Sequence, residues 1–243
     1  MSVHHRDRPF DPSRWPMLVL VVVASIAFST LARAHGFEGG DAAFVRNAGG
    51  PQIVAFLYLG AKHMVTGLDH LLFLAGVIFL LQRVQQIALH VSLFSLGHSI
   101  TLLAGVLGAV HVDAYLIDAV IGLSVVYKAL DNLGGFKTLL GVQPDSRVAV
   151  LAFGLVHGLG LATKLQELRP ARAGLLTNMI AFNGGVEIGQ FLALSILLIV
   201  LLAWRSRPGF GAQAIAVNTV LMGAGFCLVA RQAIGWCLAG AGQ

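Results

Sequence analysis

Histidine and carboxylate recur inside apolar runs of this chain at spacings that suit metal ligation. The first run holds His63-Met-Val-Thr-Gly-Leu-Asp69-His70. Seven residues make about two helical turns, which puts His63 and His70 on one face about 10 Å apart along the axis. That separation is long for one shared ion unless Gly67 bends the helix; the two imidazoles could equally serve successive stations. Asp69 sits about 100° round the helix from His70. It is therefore better placed to orient a histidine on another helix, as carboxylates do behind metal-bound imidazoles. A second run, Gly97-His98-Ser99-Ile100-Thr101, puts His98 and Thr101 at i, i+3 on a common face. A third, Phe153 to Gly160, sets His157 between Gly154 and Gly158, a small-xxx-small spacing that lets helices approach closely. A fourth, Asn183-Gly-Gly-Val-Glu187-Ile-Gly-Gln190, aligns Asn183, Glu187 and Gln190 at i, i+4 and i+7. Its glycines allow a bent or broken helix, a common feature of transport sites.

An aspartate near the middle of a spanning helix costs at least about 2.5 kcal/mol, so such groups usually face the bundle interior and have a task. The ordinary alternative is a set of polar contacts between helices. Several imidazoles and carboxylates on different runs are hard to explain by packing alone. Asp118, near the start of its own run, is a further candidate. Lys128 and Asp131, at i, i+3 near the far end of that run, read as a snorkelling ion pair. His90 reads as interfacial and His111 as a loop residue. Imidazole with carboxylate suits divalent nickel, zinc, copper or iron, and the lack of a thiolate disfavours Cu(I). Neutral imidazoles and carboxylates can also strip water from an ion without trapping it.

The elements that must carry these groups follow from composition. Of 243 residues, 57% are hydrophobic and 11% charged, against about 25% charged in soluble domains. So few charges cannot coat a globule, and the apolar surface must face lipid. The net charge of +5 does not point to nucleic acid, because no stretch combines dense Lys/Arg with aromatics. Cys227 and Cys237 would stand about 15 Å apart on one helix, too far to pair. Residues 1–34 read as a secretory signal: Arg6, Arg8 and Arg14, then an apolar stretch from Leu18 to Leu31, then Ala32-Arg33-Ala34. Cleavage there would leave His35 at the mature N-terminus as an N-terminal metal ligand. Residues 35–52 read as a periplasmic arm, and 53–243 as an all-α, polytopic bundle of about six transmembrane helices. The expected spans are 53–81, 86–109, 113–131, 148–164, 173–203 and 213–238. With the mature N-terminus outside, the inner loops carry Arg83, Lys137, Arg147, Arg205 and Arg207, which agrees with the positive-inside rule.

Taken together, these motifs resemble the HupE/UreJ family of membrane proteins. The resemblance rests on His63-x5-Asp69-His70 followed by Leu71-Leu72-Phe73-Leu74, on Gly97-His98-Ser99-Ile100-Thr101-Leu102, on Phe153 to Gly158, and on Phe182 to Gln190. It spans residues 54–191 and looks closer to the broader second branch of the family than to the hydrogenase-linked permeases. Those have a His/Glu-rich motif in a later helix, where this chain has His157 alone, and Asp118 stands where the branch often has glutamate. The resemblance implies an accessory role to nickel enzymes, with nickel or cobalt as the transported substrate. The expected reading is a bacterial inner-membrane permease rather than an enzyme, with His63, Asp69, His70, His98, His157 and Glu187 as metal ligands. Asp118, Asn183, Gln190 and Thr101 would support them. The expected partners are the lipid bilayer, the metal ion and assembly proteins of a metalloenzyme. Two alternatives stand beside it. One is an intramembrane zinc hydrolase acting on lipid, with three ligands and an open position for water. The other is a non-transporting metal sensor or assembly factor.

Overall fold

The computed structural model describes residues 39–168 and 170–241. The expected signal segment, its cleavage site and His35 lie outside the described residues. All regular structure among the described residues is helical: α1 (Gly39–Asn47), α2 (Ile53–Thr66), α3 (Leu68–Ile78), α4 (Val84–Gly108), α5 (Ala114–Asn132), α6 (Gly135–Leu140), α7 (Ser146–Glu167), α8 (Leu175–Arg205) and α9 (Phe210–Ala241).

Where one span is expected over 53–81, the structure has two helices. Gly67 leaves the helical region at φ −73°, ψ 92°, yet its N–H still donates to the His63 carbonyl at 2.7 Å. Glycine is a poor helix former, and Asp69 in the first turn of α3 favours a fresh helix start. The Asp69 carboxylate accepts from the His70 backbone N–H at 2.9 Å. At its other end α3 runs into the Arg205 guanidinium, which donates to the carbonyls of Ile78, Phe79 and Leu81. Carbonyls at a helix end look outside the helix for partners, and that of Ile78 also accepts from the Leu81 N–H at 3.2 Å. Asp113 caps α5 by accepting from the Leu116 N–H at 2.9 Å, and Asp145 caps α7 from the Arg147 N–H at 2.8 Å.

Among the described residues four helices, α4, α7, α8 and α9, are long and apolar enough to cross a membrane. At 14 and 11 residues, α2 and α3 are each shorter than the roughly 20 a span needs. Helix α5 has 19 residues and carries Asp118, Lys128 and Asp131.

The helices associate chiefly as three pairs: α4 with α7, α2 with α8, and α5 with α9. Glycine sets the approach. A methyl group on Gly158 would overlap the His98 carbonyl oxygen, and one on Gly60 would overlap that of Phe182. With lipid outside, such close backbone packing replaces the hydrophobic drive of a soluble core. Along α4 and α7 the register rises together, Gly97 facing Leu151 and Gly105 facing Ala162, so this pair runs parallel. Gly122 faces Leu228 while Tyr115 faces Gly235, so α5 and α9 run antiparallel. Phe56, Phe73, Phe94, Phe182 and Met64 are fully buried between the pairs, and Phe191, Ile196 and Ile199 of α8 face outward.

Candidate metal centre

The interruption at Gly67 brings His63 and His70 together. Their ring centres stand 5.5 Å apart, where a continuous helix would hold them about 10 Å apart. His70 is the hub. His98 of α4 lies 5.5 Å from it and His157 of α7 lies 4.8 Å away, ring centre to ring centre. Four imidazoles from four helices thus share one buried region, and the close contact of Gly158 with α4 is what brings His157 and His98 to the same level. Phe94 and Phe73 wall the cluster, their rings 5.1 and 5.4 Å from that of His157. Their apolar rings offer the nitrogens no hydrogen-bond donor.

Two of the rings are oriented from behind. Nδ1 of His70 lies 3.0 Å from Asp69 Oδ1, and Nδ1 of His157 lies 2.7 Å from the Phe153 carbonyl oxygen. Both acceptors require the proton on Nδ1, which leaves the lone pair on Nε2. The Nε2 atoms of His70 and His157, and both ring nitrogens of His98, are buried with no hydrogen-bond partner. Leaving a buried polar atom unsatisfied costs about 1–3 kcal/mol. Several at one place form the kind of concentration that calls for an explanation beyond packing. As placed, no three His, Cys, Asp or Glu side chains among the described residues are arranged to hold one ion together.

The histidine that Asp69 meets is its own neighbour His70, whose backbone N–H and Nδ1 both lie within hydrogen-bond reach of Oδ1 in the first turn of α3. Glu187 also takes a different partner from the one its type suggests: its Oε2 accepts from Ser95 Oγ at 2.8 Å. One turn along, Asn183 and Ser99 lie within hydrogen-bond reach at 2.9 and 3.1 Å. Gln190 is buried with its Oε1 unpartnered. Thr101 Oγ1 donates to the Leu155 carbonyl at 2.6 Å, a clasp between α4 and α7. Asp118 pairs with Lys164 of α7 at 2.9 Å, and Gln232 of α9 approaches it at 3.4 Å. The Lys128–Asp131 pair forms with each side chain 7% exposed, and Ser146 and Gln143, at and just before the start of α7, reach it. His90 is buried with Nδ1 on the Gln86 carbonyl, and His111 is exposed with Nδ1 on that of Ala109.

Ser95 and Phe94 belong to this region and were not singled out by the sequence, and Phe73 entered only as part of the family motif. Ser95 stands three residues before His98 and four before Ser99, so helical spacing was the signal that could have found it. The aromatic walls had none, being indistinguishable from core.

A family model described as HupE / UreJ protein matches residues 40–240 of the chain. No curated protein and no solved structure matches it.

Proposed function

This chain belongs to the HupE/UreJ family, and on that premise we propose that it is a bacterial inner-membrane permease for a divalent transition metal ion, nickel or cobalt. The observation that carries the reading is the set of unpartnered imidazole nitrogens around His70, sunk among apolar helices. Neutral imidazole suits such ions, and nitrogens kept free of protein partners can exchange for the waters an ion must lose. His63, His70, His98 and His157 act as neighbouring stations with Asp69 behind His70, and the metal is the substrate that passes between them. Glu187, Asn183 and Gln190 supply the polar flank on α8. A closed zinc site of a hydrolase needs three ligands at about 2.0–2.2 Å from one point. Ring centres 4.8–5.5 Å from that of His70 suit neighbouring stations.

In this reading α2 and α3 together make one broken span, and α4, α5, α7, α8 and α9 bring the total to six. Broken spans with sites at the break are a recurrent transporter device. Six spans place both ends of the helical domain on one side, the periplasmic side by loop charge. An exported reporter fused after Gln243 is then active, and a cytoplasmic one is not.

The deciding experiment is uptake of radioactive nickel or cobalt into proteoliposomes with and without the full chain. Saturable uptake that His98→Leu removes supports the proposal. Uptake equal to that of empty vesicles, with correctly inserted protein, overturns it.

A further inference from the structure

The carboxylates of the helical domain differ in how they are neutralised. Asp41 pairs with Lys62, Asp118 with Lys164 and Asp131 with Lys128; Asp69 is hydrogen-bonded by the backbone and ring N–H of His70, Asp113 and Asp145 cap helix starts, and Glu167 is exposed at the end of α7. Glu187 follows none of these patterns. It lies in the middle third of α8, a helix long and apolar enough to cross a membrane. Among the described residues its side-chain partner is a hydroxyl, that of Ser95 at 2.8 Å, and no cationic side chain pairs with it. A carboxylate at that depth with no counter-charge is among the costliest groups a membrane protein can carry.

What surrounds it is uniform in chemistry. Ser95 and Ser99 are i, i+4 on α4, facing Glu187 and Asn183 at i, i+4 on α8, as two rungs of one ladder. The rungs are about 6 Å apart along the helices, a gap that a cation with oxygen ligands at about 2.3–2.6 Å can bridge. The ladder offers the two carboxylate oxygens, two hydroxyls and the Asn183 carbonyl oxygen, and no imidazole stands in it. Oxygen-only donors select hard cations, whereas the histidine centre selects transition metals. One carboxylate balances one positive charge.

We propose that Ser95, Ser99, Asn183 and Glu187 form a second cation site, built only of oxygen donors, for a monovalent hard cation of the sodium class. His98 sits on α4 between Ser95 and Ser99, so filling the ladder fixes the segment of α4 that carries a histidine of the metal centre. A ligand that favours one arrangement of α4 and α8 shifts the other site by the same coupling. The role of this cation as the co-substrate that drives metal movement rests on the permease reading above; the site itself does not.

The test has two arms, both on the full chain. In detergent, with transition metals chelated, thermal unfolding is followed as sodium chloride replaces choline chloride at constant ionic strength. The expected result is a saturable rise in Tm with sodium, lost in Glu187→Gln, weakened in Ser99→Ala and kept in His157→Ala. A rise that is the same with choline, or that survives in both Glu187→Gln and Ser99→Ala, overturns the proposal; Ser99→Ala stands alone if Glu187→Gln does not fold. In the second arm, nickel uptake into vesicles is compared in a sodium gradient and in choline. Coupling predicts an acceleration of about tenfold in sodium. Uptake that ignores sodium and follows a pH gradient instead removes the co-substrate role. A sodium response through Glu187 in vesicles that take up neither nickel nor cobalt leaves the site standing and sinks the permease reading.

Discussion

The histidine centre and the charged groups of α5 use similar residue types and treat them in opposite ways. Along α5 each charge meets a partner: Lys128 pairs with Asp131 and reaches Ser146, Asp131 also takes a hydrogen bond from Gln143, and Asp118 pairs with Lys164. Around His70 the carboxylate and the Phe153 carbonyl satisfy one side of a ring, and the other side is left bare. Low solvent exposure of the side chains is common to both regions. What separates them is residual bonding capacity. The charged groups of α5 spend their bonding capacity inside the chain, within the helix as Lys128–Asp131 or across to α7 as Asp118–Lys164, while the free ring nitrogens keep theirs. The polar residues of a membrane bundle are therefore better sorted by what they leave unpartnered than by type.

The contrast can be broken experimentally from either side. The largest effect falls on stability at α5. Lys128→Met strands the Asp131 carboxylate inside the bundle, and removing one partner of a buried pair costs about 3–5 kcal/mol. Unfolding in detergent reads this loss, while metal uptake per folded molecule stays near the parent value. A Lys128→Met protein as stable as the parent would mean that the pair contributes nothing and that the two regions do not differ as described.

His98→Leu is the mirror case. Neither ring nitrogen of His98 has a hydrogen-bond partner to lose, so replacing the imidazole with an apolar side chain leaves Tm unchanged or raised, since no satisfied polar group is broken. Metal uptake falls to background. A protein destabilised as strongly as Lys128→Met, or one that still transports, contradicts the assignment of the free nitrogens.

Asp69→Asn is smaller and sharpens the comparison. The amide keeps the size and loses the charge that holds the His70 proton on Nδ1, so metal affinity falls by roughly 10–100-fold. Titration calorimetry of the purified chain with nickel measures it, and unchanged affinity would reduce Asp69 to a backbone contact in the first turn of α3. The least effect belongs to Ile196→Ala, on the outward face of α8, where uptake and stability both stay close to the parent. A large loss there would show that this face is an interface instead of a lipid boundary.

Much of this was legible in the residues. The apolar runs gave the helices, with α4, α7, α8 and α9 close to the expected bounds, and the family was readable from short motifs around His63, His98, His157 and Glu187. Gly67 was a visible condition for His63 and His70 to meet, and the backbone break at that residue fulfils it. The partners of the acidic groups were less legible. Asp118 looked like a site candidate and is the counter-ion of Lys164, a residue 46 positions later in the chain. Glu187 looked like a ligand beside histidine and instead meets Ser95, 92 positions earlier.

What the sequence determined by itself is local and periodic: which segments are apolar enough to be helices in lipid, which residues share a face of one helix, and where a glycine permits an interruption. Helical geometry repeats every 3.6 residues whatever surrounds it. What only the tertiary structure decided is which faces meet. That depends on glycines such as Gly60 and Gly158 lying against a carbonyl of another helix at one register. A shift of one residue there turns each side chain about 100° away from its partner. The convergence of four histidines on one region, and the meeting of Glu187 with Ser95, are products of that register.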